Sequence, residues 1–379
     1  MKILFIVDWY YPGYKAGGPI QSCVNIVKLL KVDFDFYVLT SDRDHGSALP
    51  YPGIFACKWQ TGPNGESVFY CPGNKMNLAL IRRIIEEIQP ELIYFNSMFS
   101  FRFTAFPLIA LKLINYKGKI LLAPRGMLHK GALSLKSFKK KSFLKAVNIS
   151  NIFKRVHFHA TDDQEGQDIL RYFKKNKVNI VQNIPDINIP FVDSSKQKGL
   201  LRLLFISRIH PKKNLSYILN VLNSGPFTGA IKFDIYGDSE SDDYLGKCRH
   251  IVSNLPSNIE VNFMNGVVHD EIVKLFSKYD AFVLPSLGEN FGHVIFESLM
   301  SGTPVLISDQ TPWQRLVDYN AGWSIPLDDF ESYKVAIQNL INLDLGEHRK
   351  LSLGSRKLAE EYLANADFKR KYFELFKIV

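Results

Sequence analysis

The run DAFVLPSLGENFGHVIFESLMSGTPVLISD, residues 280–309, limits the possible folds of this chain more than any other stretch. Ala281 to Leu284 form a short apolar run, as in a strand buried on both faces. Pro285, Ser286 and Gly288 break it. From Gly292 the spacing predicts a helix with Ile295, Phe296 and Leu299 on one stripe. Gly302, Thr303 and Pro304 stop that helix, and Val305 to Ile307 read as the next strand. The result is a β-loop-α-β unit whose helix starts at a GENFG turn. The first N–H groups of a helix lack internal partners and carry the positive end of its dipole, so an anion fits there. Glu289 lies in the loop before the helix. Glu297 lies roughly 7 to 8 Å further along the axis and off the apolar stripe. An anion with an acceptor on either side suits a sugar–diphosphate–ribose chain.

The chain has 379 residues, which suits two domains. It is 46% hydrophobic and 22% charged, a globular composition. Cys23, Cys57, Cys71 and Cys248 show no CxxC pair or metal-like spacing and read as reduced thiols. The opening MKILFIVDWY has too short an apolar run for a signal peptide and reads as a first strand. No apolar run approaches the ~20 residues of a membrane span. The net charge of +10 is uneven. Residues 1–185 carry 26 Lys and Arg against 13 Asp and Glu, whereas residues 186–379 carry 21 against 24. The basic first half points to an anionic surface, with solubility alone as the bland alternative.

Short apolar runs alternate with helical patterns along both halves, the rhythm of parallel sheets covered by helices. Ligands of such sheets sit outside the C-terminal strand ends. In the first half, the loops with Gly17 and Gly18 and with Arg125, Gly126 and His129 hold such positions. The stretch 133–154 mixes Lys136, Lys139, Lys140, Lys141 and Lys145 with Leu135, Phe138, Phe143, Leu144 and Val147. It suits a surface helix with its apolar stripe in the core, or a basic amphipathic helix on a membrane. The predicted organisation is a domain over 1–185, a linker over 186–199, a second domain over 200–362 and a returning C-terminal helix over 363–379.

In the second half three features converge after strand ends. Arg208 and Lys213 share one loop and can place two cations on a diphosphate. The GENFG turn is bracketed by Glu289 and Glu297, and Gly266, Val267 and Val268 offer a ledge for a base. Each is a weak signal alone, because a loop Arg and Lys are usually solvated. Together, and in this order, they are specific. They resemble a GT-B retaining glycosyltransferase of the large family 4 type, with two Rossmann-like domains facing across a cleft. The resemblance rests on Ser207-Arg208 with Lys213-Asn214, on Tyr236-Gly237-Asp238, and on Pro285-Ser286, Glu289, Phe291-Gly292, Glu297, Gly302 and Pro304-Val305. Gly17-Gly18, the PRGMLH segment and Thr311-Pro312-Trp313 are similar to a bacterial surface-polysaccharide subgroup (O-antigen, capsule or exopolysaccharide). Ser207 stands where glycine is more usual, and Arg315 stands near a common Glu.

The resemblance implies a UDP- or GDP-sugar donor with no cofactor and no metal. Arg208 and Lys213 would neutralise the diphosphate, aided by N–H groups of Phe291, Gly292 and His293. Glu297 would accept from the ribose and Glu289 from the transferred sugar. Asn290 and His293 would face that sugar. Gly237 and Val268 would line the nucleotide, with Gly17 and Gly18 approaching from the other domain. His129 would stand beside the anomeric carbon, its alternative being a plain surface histidine. The implied acceptor is a saccharide linked to polyprenyl diphosphate. The implied location is cytoplasmic, on the inner face of the plasma membrane through the basic domain. Asp33-Phe34-Asp35 mimics a metal-binding DxD but starts a strand, the wrong end for the site. A nicotinamide oxidoreductase is disfavoured because GxGxxG is missing, and a nucleic-acid binder because no binding module is present. A GT-B epimerase or phosphorylase is the nearest rival.

Overall fold

The computed structural model describes residues 1–379 except 130–132, 134–136, 194 and 379. It divides into two compact units. One comprises Met1–Ile184 with Asp367–Val379, and the other Pro185–Ala366.

The first unit carries eight strands: β1 (Lys2–Ile6), β2 (Asp35–Ser41), β3 (Trp59–Thr61), β4 (Ser67–Cys71), β5 (Leu92–Phe95), β6 (Lys119–Leu122), β7 (Val156–Ala160) and β8 (Val178–Ile180). Their order is β3-β4-β2-β1-β5-β6-β7-β8. All neighbours are parallel except the β3–β4 hairpin. That hairpin is absent from the sequence reading. Its signal is the short turn Pro63-Asn64-Gly65, where the Gly62 N–H donates to the Glu66 carbonyl at 2.7 Å. The helices are α1 (Gly18–Leu30), α2 (Leu78–Ile88), α3 (Phe106–Leu113), α4 (Ser137–Ser150) and α5 (Asp163–Tyr172). A π turn over Phe101–Ala105 leads directly into α3. Pro107 follows immediately in α3 and has no N–H to donate back into that turn.

In α4, Leu144 and Val147 are buried while Lys139, Lys141 and Lys145 point outward. The apolar stripe therefore faces the core, with Phe138 as an exception at 83% exposed. Leu135 and Lys136 of the basic stretch lie outside the described residues.

The second unit has one six-stranded parallel sheet. Its strands are β9 (Leu200–Ile206), β10 (Ala230–Tyr236), β11 (Ile259–Met264), β12 (Ala281–Leu284), β13 (Val305–Ser308) and β14 (Gly322–Ile325). Their order is β11-β10-β9-β12-β13-β14. The helices are α6 (Leu215–Asn223), α7 (Asp242–Val252), α8 (His269–Phe276), α9 (His293–Ser301), α10 (Phe330–Asn342) and α11 (Leu345–Ala366). Every residue of β12 and β13 is buried, as their unbroken apolar runs require. Each large apolar side chain sealed there contributes about 1.5–3 kcal/mol. Asp280 fixes the entry to β12. Its carboxylate accepts the Arg202 N–H at 2.8 Å and the Arg202 guanidinium at 2.6 Å.

The last helix, α12 (Phe368–Ile378), belongs to the first unit. Phe376 packs against Phe34, Phe36 and Tyr94, and the Tyr372 hydroxyl donates to the Gln182 carbonyl at 3.0 Å.

Candidate functional site

Strand order locates the site within the second unit. The chain leaves β9 toward β10 and β11, then crosses back to β12 on the other side. The loops after β9 and β12 therefore flank the sheet's switch point, where ligands of such sheets sit. Arg208 and Lys213 follow β9, while Glu289 and Gly292 follow β12.

The two loops are tied together through main chain. The Leu287 N–H donates to the Lys212 carbonyl at 2.8 Å, and the Ser286 hydroxyl reaches the same oxygen at 3.2 Å. Behind them, the Ser308 hydroxyl donates to the Ser286 carbonyl at 2.5 Å. The Glu289 N–H donates to the Gln310 carbonyl at 2.9 Å. The loop is thus anchored from β13 as well as from β9. Across this frame Lys213 Nζ lies 2.7 Å from Glu289 Oε1. Burial pushes the Glu289 carboxyl up, but Lys213 and then Lys212 pull it down further, so it sits below its ordinary value. Arg208 pairs with Glu240 in the loop after β10. His210 Nε2 lies 3.8 Å from that carboxylate.

Two glycines are required by geometry. Gly237 stands at φ +155°, and a Cβ there would meet the Ser207 carbonyl oxygen at 1.9 Å. Gly292 stands at φ +77°, and a Cβ would meet Ile295 Cδ1 at 2.8 Å. Gly292 starts α9, and no side chain caps that helix. Its first N–H groups and dipole therefore face the loop that holds Glu289. The turn is held from behind by Trp313, whose Nε1–H donates to the Phe291 carbonyl at 2.7 Å. Phe291, Phe296, Trp313 and Tyr362 pack ring against ring beneath it.

Glu297, off the apolar stripe of α9, is itself buried, as are all residues from Ile295 to Ser301. Its carboxylate meets His269 Nε2 at 2.9 Å. His269 heads α8, directly after Val268, which is 44% exposed. The helix is enclosed on all sides by the sheet and by α8 and α11, so sequence periodicity could not reveal its polar contact. Asn290 and His293 lie partly exposed beside the Gly292 turn.

The remaining expected residues lie in the first unit. Gly17 precedes α1 and Gly18 starts it, after β1. His129 follows β6, and its Nδ1 lies 2.5 Å from Asp168 Oδ2. Asp168 is buried and also pairs with Arg171 at 2.7 Å. Asp33 lies just before β2 and pairs with Lys369 at 3.0 Å, remote from the strand C-termini. Arg315 pairs with Asp318 and Glu361 on the surface of the second unit. Among the described residues no helix is long and apolar enough to cross a membrane. Glu240, His269 and Asp168 gave no signal in the sequence, because the residues they pair with, Arg208, Glu297 and His129, are distant along the chain. A surface hollow of about 310 Å³ beside Trp323 and Asn339 has Asp329 as its one charged lining residue and does not suit a diphosphate.

Two doubly wound parallel-sheet units in succession define the GT-B architecture, and solved structures share it along the whole chain. Anabaena HepE, solved in complex with UDP and glucose, superposes with a TM-score of 0.73 at 16% identity, covering 100% of both chains. Sucrose-phosphate synthase from Thermosynechococcus elongatus gives 0.70 at 18% identity, covering 100% of this chain and 99% of that one. Residues 186–357 match the family "Glycosyl transferases group 1". That match lies within the second unit. The O-antigen chain mannosyltransferase RfbU of Salmonella typhimurium is 30% identical over 146 residues, which is 36% of this chain and 41% of that protein. The match thus spans less than half the length of that relative. An uncharacterised 41.2 kDa protein of the Klebsiella pneumoniae cps region is 22% identical across 76% of this chain and 78% of its own length.

Proposed function

We propose that this protein is a glycosyltransferase that moves a sugar from a UDP- or GDP-sugar to a saccharide acceptor in bacterial surface-polysaccharide synthesis. The observation that carries the reading is the charge arrangement at the β9/β12 switch point. Two cations and an uncapped helix start stand on adjoining loops, with a buried carboxylate further into that helix. Arg208, Lys213 and the α9 N-terminus meet the charge that develops on the departing diphosphate, a preorganised site that needs no divalent ion. Glu297 accepts from the ribose. Glu289, held at 2.7 Å by Lys213, accepts from the transferred sugar beside Asn290 and His293. Transfer proceeds with retention, through attack on the same face of an oxocarbenium-like centre. The bond from C1 to the diphosphate breaks as the bond to the acceptor oxygen forms. His129, aligned by Asp168, contacts the acceptor side. The relatives named for an O-antigen chain and for a cps region support the surface-polysaccharide setting, and the acceptor in this reading is carried on polyprenyl diphosphate at the inner membrane face. Lys139, Lys141 and Lys145 are exposed for contact with anionic lipid there.

A radiolabelled sugar nucleotide with a polyprenyl-diphosphate-linked saccharide tests this. Label appearing in the lipid phase, undiminished by EDTA, supports it. Epimerised free donor, or sugar phosphate formed only with inorganic phosphate, contradicts it. Neutralising Lys139, Lys140 and Lys141 is expected to reduce co-sedimentation with anionic vesicles while donor binding stays intact. Unchanged co-sedimentation would remove the membrane part of the reading.

A further inference from the structure

Glu297 is 3% exposed and sits in the middle of a helix that is buried on all sides. A carboxylate there is costly unless its oxygens are hydrogen-bonded. Among the described residues its one hydrogen-bond partner is His269, with Nε2 2.9 Å from Oε1. A carboxylate has about four acceptor positions, so most of its capacity is unused within the protein. A pair of vicinal hydroxyls fits that remainder. The position is consistent with such a ligand, because Glu297 lies further into α9 than the anion-binding start at Gly292. Val268, half exposed and adjacent to His269, supplies an apolar ledge at the same end.

We propose that His269 is a positioning residue for nucleotide binding. Its Nε2–H holds Oε1 of Glu297 so that Oε2 faces the ribose diol, which makes the His269–Glu297 pair the ribose selector of the site. This rests on the donor-nucleotide reading above. Being first in α8, His269 takes its orientation from the turn at Val268. Its reach to Glu297 joins the loop after β11 to the helix after β12. Neither residue contributes charge to the diphosphate end, where Arg208, Lys213 and the start of α9 act.

The test is titration of the full-length protein with UDP and GDP and with their 2′,3′-dideoxy forms, for wild type, His269→Ala and His269→Gln. The expected result is that wild type prefers the ribonucleotide by roughly tenfold or more. His269→Ala should lose about tenfold in ribonucleotide affinity with little change for the dideoxy form. His269→Gln, which keeps an N–H donor, should recover most of the loss. Equal losses for both nucleotides, or no loss at all, would overturn the inference. A wild type that binds nucleotide without ribose preference would overturn it alone. A wild type that binds neither UDP nor GDP would overturn the donor reading as well. Melting without ligand reports whether the variants fold. His269→Met, which keeps bulk and removes the donor, replaces the alanine variant if that one does not fold.

Discussion

The two units present the same topological device with opposite chemistry. In the first unit the chain runs from β1 to β2 on one side and crosses to β5 on the other, so the switch point lies between β1 and β5. The nearby cation is Arg125, on the loop after β6, and its guanidinium is fully engaged. It donates to Asn96 Oδ1 at 2.6 Å, to the Tyr94 hydroxyl at 2.8 Å and to Asn183 Oδ1. Tyr94 in turn meets His159 Nδ1 at 2.9 Å, and His159 Nε2 donates to the Val181 carbonyl at 2.7 Å. In the second unit, among the described residues, Arg208 pairs with the carboxylate of Glu240 and Lys213 with that of Glu289. Neutral, satisfied partners make a cation structural. Carboxylate partners near the surface leave it exchangeable for another anion. The charge totals point the other way, since the first half is strongly basic and the second slightly acidic. Local pairing, and not net charge, singles out the candidate anion site.

The comparison can be broken from either side. Lys213→Ala is expected to lower kcat by about 100- to 1000-fold, roughly 3–4 kcal/mol. Ligand-free melting should hardly change, because main-chain hydrogen bonds already join the two loops that the pair bridges. A melting loss comparable to the activity loss would make Lys213 structural and erase the contrast. Arg125→Met should do the reverse. It breaks three hydrogen bonds from one charged group, costing roughly 3 kcal/mol of stability, while nucleotide affinity stays within about twofold. A selective loss of affinity would place Arg125 in the site.

The smallest expected effect is in pH. Burial, reinforced by the Arg125 charge, pushes the His159 imidazole down to about 3 from an ordinary 6.5. The unfolded chain therefore binds more protons below pH 6.5, and stability falls as pH drops through that window toward 3. Denaturant unfolding at pH 5 should show about 2 kcal/mol less stability than at pH 7 from this group. His159→Gln should flatten that part of the slope, and an unaltered slope would remove His159 as its source.

Much of the second unit was legible in its sequence because the instructions are local. An apolar run, a glycine turn and a helix stop lie within residues 280–309, and β12, α9 and β13 form there. Arg208, Lys213 and Glu289 stood out as candidates because they lie on loops after strand ends. The β3–β4 hairpin escaped because β3 spans only Trp59–Thr61, too short to show a period. The π turn before α3 escaped because its composition is that of an ordinary helix. Glu240 and His269 were invisible for a different reason. Their roles depend on partners 32 and 28 positions away, brought together by strand order. Glu297 lies off the apolar stripe in sequence, but nothing in that spacing told that Ile295 to Ser301 are all buried.

The central claim is that the nucleotide site lies at the β9/β12 switch point, with Glu297 as its ribose acceptor. Calorimetric titration of UDP and GDP into wild type and Glu297→Ala tests it most directly. The account predicts that wild type binds one of the two nucleotides and that Glu297→Ala weakens that binding by at least tenfold while melting remains cooperative. Equal affinity in the two proteins would contradict it.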